Sequence, residues 1–364
     1  MTVDTLWNKI KISPAELSLE KVLRCGQTFR WKNINNTWSF TIEDRIVLLK
    51  QDEENLHYSW LMKELLVDSS AAAISRQNNE TLNFINDYFN LSINLTSLYK
   101  HWMIQNENYK NKKILGSPFT KFKGIRILRQ DPWEATISFI CSSNNNVKRI
   151  SKMCENLCTE YGTYLNTYKG VDYFTFPSAK DLSSSPNVET KLRELGFGYR
   201  AKYIYQTARL LTSTLSIKEL NSLRESSYED SHSYLLQLTG VGPKVADCIC
   251  LMALDKHDIV PVDTHVYQIA IRDYKFKGKK DLKTMNKKVY EDIREYFKEI
   301  FGEYAGWAQS VLFASDLSDM NNGINVKEEV IVEAKITSTV VDIKEEISTE
   351  IIIESDSKRR RVRK

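Results

Sequence analysis

The chain of 364 residues is long enough for two or three domains, and its 42% hydrophobic and 27% charged residues are typical of a globular protein. Its 13 glycines and 7 prolines exclude a collagen-like chain, and no apolar run approaches the roughly 18 residues of a membrane span, so no membrane partner is expected. With 51 basic and 47 acidic residues, the net charge of +4 is too small to identify a partner. Six scattered cysteines and no secretory signal predict reduced thiols in an intracellular protein.

Residues 1–95 are predicted to form a mostly antiparallel sheet that a helix closes. Trp38 and Phe40 alternate with polar neighbours, which is the period-2 pattern of a half-buried strand. Apolar residues at helical spacing between 82 and 89 predict the closing helix. Further strands are expected at 46–49 and 57–60.

The hydrophobic pattern becomes helical from residue 96 to 317. The breaker Asp131-Pro132 precedes an apolar stretch that predicts a helix over 133–141. A glycine-bearing connection between helices is expected at 195–200. Other helices are expected over 147–161 and 201–213, as a pair around 217–238, and over 304–317.

Residues 318–364 are expected to form a disordered, charged tail, because aromatic residues are absent and valine and isoleucine alternate irregularly with polar residues. Residues 319–357 contain 3 basic and 10 acidic residues, whereas the last seven residues carry six positive charges. This basic terminus resembles a nuclear localisation signal and suits non-specific nucleic-acid affinity equally well. We therefore expect the nucleus as the location.

The most informative stretch is the glycine-rich turn at 238–244, with the sequence LTGVGPK. Gly240 and Gly242 flank a single residue, so this tight turn can present bare backbone N–H groups, and Pro243 suits the first position of a helix. Together these groups can bind one phosphate. A dinucleotide fold is excluded because the preceding segment is helical and the glycine motif is incomplete. The alternative is a turn that holds nothing, but the pattern favours a helix–hairpin–helix clamp for a DNA phosphate.

Lys244 lies in the first turn of this helix, where the helix dipole disfavours a cation. The dipole and partial burial are both expected to lower its pKa, and a neutral amine can attack an electrophilic carbon and form a Schiff base. Position alone nevertheless favours the simpler role, in which Lys244 contacts a phosphate as a point charge.

Asp263 lies nineteen residues after Lys244 and directly precedes a helical pattern. An aspartate in this position is most often an N-cap. Its carboxylate can also stabilise positive charge that develops during a reaction, and the two roles are compatible. His265, in the same helix, either donates to a phosphate or is a surface residue.

These motifs resemble the hairpin–Gly/Pro–Asp signature of the helix–hairpin–helix DNA glycosylase superfamily, and the likeness is sharpest to its eukaryotic 8-oxoguanine DNA glycosylases. The resemblance implies an α+β fold, in which an antiparallel β-rich N-terminal domain (1–95) is packed on an all-α helix–hairpin–helix glycosylase domain (96–317), and it does not extend to the tail (318–364). The similar stretches are 25–31 (CGQTFRW), 128–132 (LRQDP), 139–146 (FICSSNNN), 195–203, 244–255, 261–265 and 304–317.

The resemblance implies a bifunctional DNA glycosylase/β-lyase of base excision repair that removes 8-oxoguanine paired with cytosine. It reverses the assessment of Lys244, because in this family the hairpin lysine is the nucleophile that forms the Schiff base. Asp263 is implied to stabilise the developing sugar cation. The expected partner is double-stranded DNA containing 8-oxoguanine, with the damaged base flipped into a pocket. The protein is expected to be a monomer with no cofactor and no metal, since its cysteines do not match an iron–sulfur loop.

Four further residues are implied to form the base pocket. Gly26 supplies a backbone carbonyl to the N–H that oxidation creates at N7 of guanine, and Gln309 reads the pairing edge. Cys248 and Phe313 are implied to sandwich the purine. Without the resemblance, these positions would be interpreted as a turn glycine, a polar residue in an apolar helix, a small buried residue and a core aromatic.

The remaining implied roles concern the DNA itself. Asn144, Arg149 and Arg200 fill the vacated space and read the orphaned cytosine, and Tyr199 is a wedge beside it. The amides around Gly240 and Gly242, together with His265, are implied to hold phosphates.

Two alternatives stay open from sequence: a glycosylase of the same superfamily for another lesion, and a non-catalytic helix–hairpin–helix DNA-binding module. The chain also departs from the family at Ser318, where an arginine is often found soon after the last Asp-Leu.

Overall fold

The structure is a computed structural model that describes residues 6–63, 70–113, 116–278, 285–317 and 324–326. The basic terminus at 358–364 and all of the predicted tail except 324–326 lie outside the described residues. The strands are β1 (Asn8–Lys11), β2 (Lys32–Ile34), β3 (Thr37–Thr41), β4 (Arg45–Gln51), β5 (Asn55–Met62), β6 (Tyr164–Tyr168), β7 (Val171–Phe174) and β8 (Ile324–Val326).

The α-helices begin in the N-terminal region and then make up most of the chain. They are α1 (Leu19–Val22), α2 (Ala71–Tyr88), α3 (Leu95–Tyr109), α4 (Pro118–Lys121), α5 (Pro132–Ser142), α6 (Val147–Tyr161), α7 (Asn187–Glu194), α8 (Arg200–Ser213), α9 (Ile217–Ser222), α10 (Tyr228–Leu235), α11 (Pro243–Ala253), α12 (Thr264–Tyr274), α13 (Lys287–Phe301) and α14 (Ala305–Asp316). Among the described helices, none has the length and apolar character needed to cross a bilayer.

The N-terminal strands form the predicted sheet, in the order β1-β5-β4-β3-β2-β8. All neighbouring strands are antiparallel except β2 and β8. One face packs on α2, where Trp31 stacks on Phe40 with ring centroids 4.9 Å apart and also contacts Tyr88. This aromatic cluster fixes α2 against the sheet.

The prediction that the strand around Trp38 and Phe40 is half-buried is wrong, because every residue of β3 is buried. The hairpin of β6 and β7 covers the second face: the hydroxyl oxygens of Tyr173 and Ser39 are 2.6 Å apart, and Thr41 donates to the Phe174 carbonyl oxygen at 2.9 Å. The polar residues of β3 are thus hydrogen-bonded inside the protein rather than solvated.

That hairpin was not expected in the helical part of the chain. Its turn is Lys169-Gly170, and both residues have positive φ values, 49° and 76°. Two left-handed residues are the geometry of a type I′ turn between antiparallel strands. The sequence signal from which this hairpin could have been predicted was the alternation of apolar and polar residues on both sides of Gly170.

The helical region follows the prediction otherwise. Helix α5 starts at Pro132 with Asp131 as its N-cap, and all its residues from Pro132 to Cys141 are buried. The predicted helices at 147–161, 201–213, 217–238 and 304–317 correspond to α6, α8, the α9–α10 pair and α14. Cys25 and Phe29 pack into this helical core. The segment after α1, which includes Gly26, therefore packs against the helical region.

The predicted disorder of the tail is wrong for Ile324–Val326, which form β8. Their strand pairs in parallel with β2, and Arg24 donates from Nη2 to the carbonyl oxygen of Ile324 at 3.1 Å. A strand of three residues has too little pattern to be recognised without its partner.

Candidate active site

Helices α10 and α11 form the predicted hairpin. Gly240 adopts a left-handed conformation with a φ of 87°, and Gly242 is the N-cap of α11. Pro243 occupies the first helical position, as expected from its missing N–H. The turn therefore ends at the N-terminus of α11, where the positive end of the helix dipole lies, and Lys244 is in the first turn of this helix.

Lys244 is partly buried and contacts Cys248, one turn later on the same helix. Burial disfavours the charged amine, but the Cys248 sulfur and the Asp263 carboxylate outweigh burial and raise the pKa of Lys244. The predicted lowering of this pKa is therefore wrong, because the argument from dipole and burial omitted Cys248, one turn later on the same helix, and the Asp263 carboxylate at the start of the next helix. The amine is protonated at neutral pH and has to lose a proton before it can act as a nucleophile.

Asp263 is the N-cap of α12, as predicted. Its Oδ1 accepts a hydrogen bond of 2.9 Å from the backbone N–H of Val266. The cap fixes the carboxylate in the lining of the pocket while leaving it close enough to Lys244 to raise the pKa of that amine. Helix capping and electrostatic stabilisation are therefore compatible here.

One pocket brings together residues that are far apart in the sequence. Its lining also contains residues that the sequence analysis missed, among them Phe139, Met252 and Ser310. All three lie in stretches that supported the resemblance (139–146, 244–255 and 304–317), but no role in the pocket was assigned to them. The pocket contains all six residues predicted for the chemistry and the base: Gly26, Lys244, Cys248, Asp263, Gln309 and Phe313.

Gly26 adopts a positive φ of 86°, which glycine reaches without strain. The next residue, Gln27, is buried and holds this segment: its Nε2 donates to the Arg126 carbonyl oxygen at 2.7 Å, and its Oε1 accepts from the Leu128 N–H at 3.0 Å. Gln130 in turn donates to the backbone oxygen of Gln27 at 3.0 Å. These glutamines fix the backbone on one wall of the pocket, a role that the sequence analysis did not assign.

Other walls of the pocket come from α11 and α14. Cys248 is buried, and burial raises the pKa of its thiol despite the neighbouring Lys244, so the sulfur is uncharged at neutral pH. Gln309 is buried on α14, and Phe313, one turn later, is only partly buried. The Phe313 ring meets His265 edge-on with centroids 5.9 Å apart.

Four of the predicted DNA-contacting residues lie at two neighbouring helix starts: Asn144 precedes α6, Arg149 is in the first turn of α6, and Tyr199 and Arg200 begin α8. Asn144 is exposed with a φ of 49°, and Tyr199 is exposed and donates to the Ser143 carbonyl oxygen at 3.1 Å. Arg149 is exposed and donates to Gly196 at 3.2 Å.

Arg200 differs from this exposed group because it is buried. Its Nη2 donates to the carbonyl oxygens of Ser143 and Asn144, and its guanidinium lies 4.6 Å from the centre of the Tyr199 ring. The Nε atom of Arg200 has no hydrogen-bond partner. The structure thus brings the four residues together, with Arg200 directed at the loop rather than at solvent.

His265 is exposed at the start of α12. Its Nδ1 lies 3.6 Å from Oδ2 of Asp316, and the same carboxylate accepts a hydrogen bond of 2.8 Å from Arg272. His265 is therefore available at the surface next to the pocket, with Asp316 behind it.

No group of three or more His, Cys, Asp and Glu side chains that could bind a metal occurs among the described residues. All six cysteines are free and buried.

Comparison with known proteins agrees with this geometry. Residues 9–136 match the family model of the 8-oxoguanine DNA glycosylase N-terminal domain, and residues 137–295 match that of the HhH-GPD superfamily base excision DNA repair proteins. The N-glycosylase/DNA lyase of Saccharomyces cerevisiae is 38% identical over 341 residues, which cover 85% of this chain and 86% of the relative. The chain belongs to the 8-oxoguanine DNA glycosylase family.

Other members of this family are also similar. The N-glycosylase/DNA lyase OGG1 of Arabidopsis thaliana is 36% identical over 314 residues, covering 85% of this chain and 80% of the relative. The Clostridium acetobutylicum 8-oxoguanine glycosylase/lyase, solved with double-stranded DNA containing cytosine opposite 8-oxoguanine, has a TM-score of 0.68 and 26% identity, covering 86% of this chain and 97% of that one. The predicted resemblance and fold class are confirmed, whereas the roles of individual residues in this 8-oxoguanine DNA glycosylase stay predictions.

Proposed function

We propose that the protein is a bifunctional DNA glycosylase and β-lyase of base excision repair, which excises 8-oxoguanine paired with cytosine. The observation that carries this proposal is that a lysine, a carboxylate and the four residues predicted to contact the base line one pocket at the N-termini of α11 and α12. The names of the relatives from Saccharomyces and Arabidopsis and the contents of the Clostridium structure support it.

Lys244 is the nucleophile. After loss of a proton, its Nζ forms a bond to C1′ of the damaged nucleotide, and the C1′–N9 bond breaks with its electron pair going to the base, which takes up a proton. Ring opening of the sugar gives a Schiff base between Nζ and C1′. Loss of a C2′ proton then expels the 3′ phosphate, which is the β-elimination step.

Asp263 stabilises the positive charge that develops on the sugar as the base departs. Its carboxylate is fixed by the hydrogen bond from Val266, so little reorganisation is needed when charge appears. The same carboxylate raises the pKa of Lys244, and the proton must therefore leave before attack.

Base selection rests on the backbone at Gly26. 8-Oxoguanine has an N–H at N7, which can donate to a carbonyl oxygen, whereas guanine has an acceptor there that a carbonyl repels. Gln27 and Gln130 hold the segment, so the carbonyl cannot turn away from guanine without breaking buried hydrogen bonds. Gln309 reads the pairing edge, and Cys248 and Phe313 contact the two faces.

The opposite strand is read by the two loops that meet near Tyr199. Tyr199 is placed to enter the duplex as a wedge, while Asn144, Arg149 and Arg200 replace the flipped base and bind cytosine. Arg200 has to leave the carbonyl oxygens of Ser143 and Asn144 for this, and its unpaired Nε gains a partner when it does. Phosphates are held by the N–H groups around Gly240 and Gly242 and by His265.

The protein is proposed to act as a monomer in the nucleus. The DNA substrate and the basic terminus support this location. The role of the basic terminus is tested by removing residues 358–364 from a fluorescent fusion and measuring how much of the fusion remains in the nucleus.

Borohydride trapping on a duplex with 8-oxoguanine opposite cytosine tests the proposal. The protein is expected to form a covalent adduct with the DNA that Lys244→Gln abolishes, while DNA binding persists. An adduct in the variant would overturn the lysine assignment, and binding without any adduct in the unaltered protein would indicate a DNA-binding module. A parallel duplex with thymine glycol separates the two enzyme functions, since only an enzyme for another lesion would prefer it.

A further inference from the structure

A buried carboxylate that the chemistry above does not use lies directly behind the nucleophile. Asp247 is three residues after Lys244 on α11 and is completely buried. Its Oδ1 accepts a hydrogen bond of 2.8 Å from the Tyr228 hydroxyl, and its Oδ2 accepts one of 2.6 Å from the Tyr290 hydroxyl. His232 faces it as well, with Nε2 at 3.6 Å from Oδ1. A carboxylate is kept in such a place only when its oxygens are paired.

The Tyr290 hydroxyl has a second contact, on the other catalytic element. It accepts a hydrogen bond of 3.3 Å from the backbone N–H of Val262, the residue immediately before Asp263. A phenol can donate and accept at once, so this hydroxyl joins Asp247 on α11 to the start of α12. Lys244 and Asp263 are thereby linked through a path of two hydrogen bonds.

The network extends to two further helices. Tyr228 lies on α10, the first helix of the hairpin, and Arg294 on α13 donates from Nη1 to its hydroxyl. Arg294 is one turn after Tyr290 on the same helix. A cavity of about 870 Å³ lies against these side chains, and its lining includes both Lys244 and Asp263. The network therefore adjoins a second cavity, which shares Lys244 and Asp263 with the base pocket.

We propose that Asp247 and Tyr290 are positioning residues for the glycosylase and lyase reactions, which hold the helix of Lys244 at a fixed distance from the start of the helix of Asp263. This inference rests on the proposed function. The nucleophile and the carboxylate stand on different helices, and a displacement of about 1 Å between reacting groups can lower a rate about a hundredfold. Asp247 is completely buried and neither residue lines the base pocket, so their effect is expected on geometry rather than on DNA affinity.

Tyr290→Phe removes only the hydroxyl and is compared with Tyr296→Phe on the same helix. The Tyr296 hydroxyl donates a hydrogen bond of 2.6 Å to the Tyr274 carbonyl oxygen, as the Tyr290 hydroxyl donates to Asp247, and Tyr296 is similarly half-buried. Single-turnover excision at saturating DNA is expected to fall about tenfold or more in Tyr290→Phe and to stay within about twofold in Tyr296→Phe. The dissociation constant for the duplex is expected to be unchanged in both.

Two substitutions of Asp247 distinguish the effect of its hydrogen bonds on position from the effect of its negative charge. Asp247→Asn keeps a side-chain oxygen for the Tyr290 hydroxyl and an amide that can donate to the Tyr228 oxygen, so its rate is expected to stay within about threefold of that of the unaltered protein. Asp247→Leu keeps the volume and loses both bonds, and its rate is expected to fall at least as far as that of Tyr290→Phe. Circular dichroism and DNA binding identify a variant that has not folded.

The outcomes separate this inference from the proposed function. If the unaltered protein excises the base and Tyr290→Phe matches Tyr296→Phe, the positioning role is wrong and the function stands. An equal loss in folded Asp247→Asn and Asp247→Leu would assign the effect to the charge and also overturn the inference. An unaltered protein without excision or trapping would overturn the proposed function itself.

Discussion

Gly240 lies directly against the ring of Tyr203. A Cβ carbon on Gly240 would stand 2.7 Å from Cδ2 of that ring, which is closer than such atoms approach, and the φ of Gly240 is 87°. The glycine of the hairpin is thus required twice, for its backbone conformation and for the close packing of α8 on the turn.

Gly240→Ala is therefore expected to destabilise the protein by about 1–3 kcal/mol and to weaken DNA binding, because the phosphate-binding turn has to shift. Urea unfolding measures the first effect and duplex titration the second. The matched control is Gly242→Ala: Gly242 has a φ of −94°, and its Cβ would meet no atom within 4 Å. Equal losses of stability in the two variants would contradict the packing argument.

Gly26→Ala is expected to reduce excision of 8-oxoguanine about tenfold or more while leaving cleavage at a preformed abasic site nearly unchanged. The added Cβ would stand 3.5 Å from Phe313, an ordinary contact, so the effect comes from the strained φ of 86°, which moves the carbonyl. Parallel gels with the two substrates measure it. Gly302→Ala is the control, since Gly302 has a φ of 73°, open space around it and no place in the pocket.

The pH dependence follows from the pKa of Lys244, which Cys248 and Asp263 raise against the effect of burial. The reactive form is the neutral amine, so the rate of borohydride trapping on an abasic duplex is expected to increase with pH through the neutral and mildly alkaline range. Asp263→Asn removes a cause of the raised pKa, and its smaller rate is expected to reach a plateau at a lower pH. An unshifted profile in Asp263→Asn would show that this carboxylate does not control the amine.

Local pattern was enough to predict the hairpin of Gly240 and Gly242, the helix start at Pro243 and the N-cap at Asp263, because each depends on residues a few positions apart. The walls of the pocket could not be predicted in that way. Gly26, Cys248 and Phe313 meet only after the sheet segment and two helices pack together, and the resemblance alone connected them in advance.

Each error came from a neighbouring group that was left out. The strand with Trp38 was expected to be half-buried because the hairpin that covers it lies more than 120 residues later in the sequence. The pKa of Lys244 was predicted from the helix dipole and burial alone, whereas Cys248 one turn later and Asp263 at the start of the next helix raise it. Asp247 had a signal that was not used, since a charged residue in the apolar stretch of α11 indicates buried partners.

A buried ion pair joins the segment before β2 to α5, and its removal gives the last prediction. Arg30 donates from Nε and Nη2 to the two carboxylate oxygens of Glu134 at 2.8 and 2.6 Å, and it also bonds to Thr41 on β3. Glu134→Gln leaves the guanidinium buried without its charge partner and is expected to lower the free energy of unfolding by about 3–5 kcal/mol. Glu80→Gln, which breaks a pair between Arg45 and a half-exposed carboxylate, is expected to cost less than about 1 kcal/mol. Urea unfolding of both variants measures the difference, and similar midpoints would mean that the Arg30 pair contributes no more than a surface contact.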